Sequence, residues 1–285
     1  MKFTVITVCF NAGDKLKNTV KNILEQKNAD FELLIKDGGS KDHSLPDCEE
    51  YLLSVGYRKE NGKGNEAVFA ADTPDAPLVR IVSEPDKGIY DAMNMAVKLS
   101  RGEYISFMNC GDGYAAPDVL SKTCARMEET GNREIYYGDA YFRKAGNVMH
   151  MPETITPSQC YRHVPNHQSC FFKRDLWRSK QLNPKYKIRA DYEFFLYHYF
   201  VGKTKPVYLG IVVADYEGGG FSETKENRKR DKFEHKVITE KYMTKKQIGR
   251  EKIFGVVTLQ PLRRWIASDS PFSAAYDSLR KKMYR

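Results

Sequence analysis

Long apolar runs are missing from this 285-residue chain. No stretch approaches the roughly 18 residues that a membrane-spanning helix needs, and the apolar run from Phe3 is too short for a secretory leader and lacks a small-residue cleavage site. Paired cysteine spacing is absent too. Cys9, Cys48, Cys110, Cys124, Cys160 and Cys170 are scattered without a C-x-x-C, which argues against a zinc ribbon or a disulfide framework and points to a reducing, cytoplasmic location. Neither G-x-G-x-x-G nor G-x-x-x-x-G-K-[ST] follows the first apolar run, so neither a dinucleotide cradle nor a P-loop is expected. There is little charge asymmetry in the main body. The formal net charge is +9, but the whole surplus falls in residues 223–285 while residues 1–222 balance. With no helix-turn-helix or RNP-like pattern, a basic nucleic-acid-binding module remains a rival reading that the neutral body disfavours, and no nucleic-acid partner is expected.

What is present reads as alternating strands and helices. Residues 3–10 are β-branched and aromatic and stop at Asn11-Ala12-Gly13, the pattern of a buried strand ending in a turn. Leu16, Val20, Ile23 and Leu24 recur at helical spacing over 14–27. Further strands are expected at 31–35, 78–82, 104–108 and 135–138, with helices at 88–99 and 119–127. Residues 56–78 carry little pattern and read as a surface insertion. Beyond, a strand pair around 140–151, a helix from about 191 to 201 and a strand over 206–215 are expected, then charged, mostly helical chain. The fold class is therefore α/β, an open and mostly parallel sheet flanked by helices.

Ligands of such sheets sit beyond the carboxyl ends of the strands. Three ends here carry acids beside glycine, at Asp37-Gly38-Gly39, Glu84-Pro85-Asp86-Lys87-Gly88 and Asn109-Cys110-Gly111-Asp112. Each alone is an ordinary turn signal. Three on one rim are expected to repel unless a cation or a donor-rich ligand lies between them. The reading is a nucleotide whose base and ribose are held by Asp37 and Asp86, with its diphosphate neutralised by Mg²⁺ or Mn²⁺ on Asp112.

At these strings the chain resembles the family 2 glycosyltransferases of GT-A fold, the kind that builds bacterial exopolysaccharide and capsule. The resemblance covers residues 3–222 and rests on TVITVCFNAGDKLKNTVKNILEQ, LLIKDGGSKD, SEPDKGIYDAMNMAVKLSRGEYISFMNCGD, NHQSCFF, ADYEFFL and GGGFS, in the family's order. It implies a domain over 1–222 and a basic helical extension over 223–285. By the same resemblance Asp37 bonds the uracil of a UDP-sugar, Asp86, Gly88 and Asn94 line the donor site, and Asp112 is the last acid of a D-x-D-type metal motif. The preceding positions here include Asn109 and Gly111 in place of acids, which leaves one carboxylate ligand. Asp191 matches the catalytic base of an inverting transfer, and His167 and Gln168 flank the acceptor side.

Blander readings accompany these. Asp191 is also placed to cap a helix, His167 to bond its own loop, and Gly218–Gly220 to form a turn, with Ser222 after it closing over the diphosphate. A sugar nucleotidyltransferase is a rival, although FNAGDKLK is a poor triphosphate loop, and a glycoside hydrolase leaves Asp37 unexplained. In the tail, Pro261 and Pro271 each open an amphipathic basic segment. Residues 253–285 fit either an anionic inner-membrane surface, beside a glycan or lipid-linked acceptor, or packing on the domain.

Overall fold

Phe3, Val5 and Cys9 of the first strand face one apolar layer and Ile6 and Val8 the other, the two-residue alternation of a strand buried on both faces. The computed structural model describes residues 1–62, 64–73, 76–218 and 225–257. In chain order β1 (Phe3–Cys9), α1 (Asp14–Leu24), β2 (Phe31–Asp37) and α2 (Ser44–Ser54) come first. Next are β3 (Tyr57–Asn61), β4 (Glu66–Ala71), β5 (Leu78–Ser83), α3 (Ile89–Leu99) and β6 (Tyr104–Phe107). They are followed by β7 (Gly113–Tyr114), α4 (Val119–Thr130), β8 (Ile135–Phe142), β9 (Asn147–Met149) and α5 (Pro157–Arg162). A 3-10 turn at His167–Ser169 leads to β10 (Cys170–Lys173), α6 (Leu176–Ser179), α7 (Ala190–Phe200) and β11 (Val207–Tyr216). The described chain closes with α8 (Lys225–Tyr242) and α9 (Lys245–Val257).

The strands form one 11-stranded sheet in the order β3-β4-β5-β2-β1-β6-β10-β8-β11-β7, with β9 paired to β8. Its centre, β5-β2-β1-β6, is parallel, as the βαβ pattern requires. β10 runs antiparallel between β6 and β8. Apolar faces of α1, α2 and α4 cover one side, and α3, α7 and Ile238 of α8 cover the other. An α/β architecture with a mostly parallel central sheet is thus what the chain adopts.

One expectation fails. The stretch read as a surface insertion is a hairpin, β3 with β4, that extends the sheet beyond β5. Its buried Phe69 on β4 sits opposite Lys59 of β3, and β3 is a short, charged edge strand, so no alternation stood out. The expected helices opening at Pro261 and Pro271 lie outside the described residues, as does Ser222.

Candidate active site

The polar residues at the strand ends divide into those turned inward and those facing a cleft. Asp37, at the end of β2, is 0% exposed. Its oxygens accept the amides of Gly39 (2.9 Å) and Ser40 (3.0 Å) and the hydroxyls of Ser40 (2.5 Å) and Ser83 (2.6 Å). Asp37 therefore ties the end of β2 to that of β5 and shapes the 38–40 turn. It is not among the residues lining either cavity described below. Asn94 is likewise an internal clasp: it donates to the Leu182 carbonyl (2.7 Å) and accepts from the Leu182 amide (3.0 Å) and the Trp177 indole (3.2 Å). The expectation that these two line the donor site gives way to scaffold roles, because neither lines a cavity and each of their side-chain polar atoms already has an internal partner.

Asp86 and Gly88 do line a cavity, of about 620 Å³, together with Phe10, Gly38, Tyr186 and Arg230. A Cβ on Gly38 would lie 2.7 Å from Asp86 Oδ2, so glycine at 38 leaves room for that carboxylate. Buried Lys36 sends its ammonium to the carbonyls of Asp37 (2.8 Å) and Glu84 (2.6 Å) and lies 3.7 Å from Asp86 Oδ2. The amide of Gly88 donates to Asp86 Oδ1 (2.9 Å), and the φ of 116° at Gly88 is one that glycine alone adopts readily. Phe10 is 65% exposed on this wall, an unusual position for a phenyl ring without a partner to cover it.

The second cavity, of about 320 Å³, is lined by Asn109, Asp112, His167, Gln168, Asp191 and Glu217, and it shares Ile89, Tyr90 and Lys187 with the first. α1 sets the loop after β6: Thr19 Oγ1 donates to the Asp112 carbonyl (2.8 Å) and accepts from the Gly111 amide (3.0 Å). Asp112 is 6% exposed and accepts the Glu217 amide (3.0 Å) and Gln168 Nε2 (2.8 Å). Burial pushes its carboxyl above the ordinary range, against those two hydrogen bonds. Gln168 Oε1 and Asn109 Oδ1 are buried without a hydrogen-bond partner. One buried carboxylate near two orphaned amide oxygens is an all-oxygen donor set, which fits a hard divalent cation. Elsewhere among the described residues Asp14, His43 and Asp47 bring ligand atoms within 4.8 Å of one another, but they line neither cavity.

Asp191 lies in the first turn of α7, not at its N-cap, which is Arg189. Oδ2 accepts from His167 Nδ1 (2.8 Å), while Oδ1 accepts the Tyr192 amide (2.8 Å) and lies 3.2 Å from the Tyr90 hydroxyl. Because a carboxylate only accepts, the imidazole proton sits on Nδ1 and Nε2 faces Asn109 Nδ2 at 3.0 Å. Burial opposes ionisation of Asp191, but His167, together with the Tyr192 amide and the Arg189 charge, outweighs it and holds the carboxyl below its usual range. The six residues Asp86, Gly88, Asp112, His167, Gln168 and Asp191, spread over more than a third of the chain, thus line two adjoining hollows. Phe10, Tyr186, Lys187, Glu217 and Arg230 line them as well and carry no signal in the sequence beyond position. Phe10, next to the Asn-Ala-Gly turn, was the most accessible to reasoning.

The model of the family described as Glycosyl transferase family 2 matches residues 4–205. A PGL/p-HBAD biosynthesis glycosyltransferase of Mycobacterium bovis (strain BCG / Pasteur 1173P2) is 27% identical over 228 residues, which is 78% of this chain and 79% of that protein. Among solved structures, S. aureus TarS 1-349 in complex with UDP-GlcNAc superposes with a TM-score of 0.63 at 15% identity, covering 94% of this chain and 73% of that one. Of a longer TarS chain the present chain spans 44%. The mannosyltransferase PcManGT from Pyrobaculum calidifontis, in complex with GDP-Man and Mn2+, gives 0.60 at 16% identity, covering 99% of this chain and 80% of that one. The fold is that of the GT-A glycosyltransferases. With the family match spanning most of the sequence, this chain belongs to the family 2 glycosyltransferases.

Proposed function

We propose that this enzyme transfers a sugar with inversion from a UDP-sugar to a hydroxyl of a glycan or lipid-linked acceptor, in cell-surface polysaccharide or glycolipid synthesis. The observation that carries the reading is the pair of joined hollows: Asp86 lies in one, Asp112 and Asp191 in the other, and Tyr90 and Lys187 in both. Their volumes are in the range of small-molecule sites. In this reading the nucleoside lies in the larger hollow against Phe10 and Asp86, and the sugar and acceptor meet in the smaller. The UDP-GlcNAc held by TarS supports a uridine donor, and the name of the mycobacterial relative supports a glycolipid-type acceptor. A catalytic domain over 1–222 with a basic extension over 223–285 follows from the same reading. So does a peripheral place at an anionic membrane surface through residues 253–285, of which only 253–257 are described.

The reaction is one displacement. The acceptor oxygen forms a bond to the anomeric carbon as the bond from that carbon to the diphosphate breaks, and the electron pair leaves on the diphosphate. The acceptor proton passes to Asp191, which needs to sit within hydrogen-bond reach of the attacking hydroxyl. His167 holds the Asp191 carboxylate ionised and aimed, and the Tyr192 amide (2.8 Å) fixes its other oxygen. Asp112, with Gln168 and Asn109 beside it, is the place for Mg²⁺ or Mn²⁺, which when bound supplies positive charge to the leaving diphosphate.

Asp191→Asn tests the assignment. Transfer from a UDP-sugar is expected to fall by at least about a hundredfold, while UDP affinity measured by calorimetry stays near that of the wild type. Retained turnover would move the base elsewhere.

A further inference from the structure

Glu234 of α8 is 4% exposed, yet it points at neither cavity. Its carboxylate accepts three consecutive amides, those of Lys187 (2.8 Å), Ile188 (3.0 Å) and Arg189 (2.9 Å). Converging backbone N–H groups of this kind form an anion nest, here filled by the protein's own glutamate. One helical turn earlier on α8, Asp231 pairs with the Arg189 guanidinium through Nε (2.7 Å) and Nη2 (2.9 Å). The 187–189 segment is therefore clamped from the extension, and what it presents is specific. The Ile188 carbonyl receives the Tyr90 hydroxyl, and the Lys187 side chain lines both hollows.

Lys187 differs from the other lysine of the smaller hollow. Lys15 is neutralised by Glu217 at 2.5 Å, whereas no ion pair or hydrogen bond of the Lys187 ammonium occurs among the described residues. An ammonium without a counter-ion, at the boundary between a hollow for the nucleoside and one for the sugar, lies where a nucleoside diphosphate carries its negative charge. A cationic side chain at that boundary can meet this charge directly.

We propose that Lys187 contacts the leaving diphosphate, and that Glu234 is the positioning residue that aims it by holding the 187–189 backbone. This rests on the nucleotide-sugar reading above and adds to it a phosphate contact under the control of α8. The test is calorimetric titration of the full chain with UDP and with uridine, in EDTA so that no metal masks the lysine. Lys187→Met is expected to weaken UDP roughly tenfold and leave uridine unchanged. Glu234→Gln, which replaces an oxygen facing N–H donors by an amino group, is expected to give the same split. The double variant is expected to be no weaker than either single one, since both act through one contact. Melting temperatures establish that each variant is folded. Should Glu234→Gln not fold, Glu234→Asp keeps the charge, withdraws it by one methylene and is expected to show the same split. UDP affinity indifferent to Lys187→Met overturns the proposal while leaving the donor reading intact. Equal loss of UDP and uridine in the folded Glu234 variant reduces Glu234 to structural support. A wild-type chain that binds no UDP, either in EDTA or with Mg²⁺ added, overturns the donor reading and this proposal with it.

Discussion

At Asp191, burial pulls the protonation equilibrium one way and His167, with the Tyr192 amide and Arg189, the other, and the latter prevail. A carboxyl depressed in the folded state stabilises the fold above its unfolded pKa, and this contribution is lost as the pH falls through the depressed value. The same depression keeps Asp191, the proposed base, ionised below the ordinary carboxylate range. Replacing His167 with Leu leaves burial unopposed by the imidazole, so the acidic limb of the kcat profile is expected to move to higher pH. Initial rates between about pH 4 and 8 measure it, and an unmoved limb would show that His167 does not set the charge. Asp86 and Asp112 were legible because they follow the ends of β5 and β6, where ligands of open sheets gather, whereas Asp191 and His167 were legible through the family resemblance. Asp37 and Asn94 show the limit of that logic. Sequence places a polar side chain beside a turn or on a helix, but its direction depends on partners such as Ser83 and Leu182, distant in the chain. Lys187 was illegible for the opposite reason, being one lysine among several in an irregular loop.

Between elements, the joint of α7 with α8 is polar at its centre. Glu193, fully buried two residues beyond Asp191, accepts from Lys241 (2.8 Å) and from the Tyr242 hydroxyl, and pairs with Lys180 (2.9 Å). Burial opposes its ionisation, but the hydrogen bonds from Lys241, Tyr242 and Lys180 outweigh it and lower its pKa. Tyr242 is pushed up to about 12, by burial first and by Glu193 next. Removing one member of such a group leaves the others uncompensated, so Glu193→Ala is expected to cost about 3 kcal/mol in urea unfolding at neutral pH. Glu193 adds stability above the ordinary carboxylate range, and that share disappears as the pH falls through its lowered pKa, so the gap between wild type and variant should close in acid. A constant gap would assign the loss to packing. The helix carrying Glu193 was legible from its apolar run, and β1, β2 and β6 from β-branched runs buried on both faces. The β3–β4 hairpin was not, because an edge pair needs little apolar surface and borrows its order from β5.

Across the whole molecule, the charge is unevenly divided along the chain. The first 222 residues balance, and the basic surplus begins where α8 does. On α8, Lys229, Lys232 and Lys236 flank Phe233, which is 66% exposed, and α9 exposes Ile253. Such surfaces suit anionic headgroups, each cation contributing about 1 kcal/mol near the surface. Flotation with vesicles containing phosphatidylserine is expected to carry the full chain upward, and less of a chain ending at Lys252. Equal flotation of both would remove residues 253–285 from membrane binding. Over residues 225–257 the extension was legible as basic and helical, but its second face was not, since nothing in the spacing of Asp231 and Glu234 announces which backbone they will meet. The clasp between α8 and the 187–189 turn has a practical corollary for recombination. A hybrid joined at residue 222, pairing this catalytic body with the tail of a relative, would sever the grip on its own reaction centre, so residues 184–200 and 225–242 have to be inherited together.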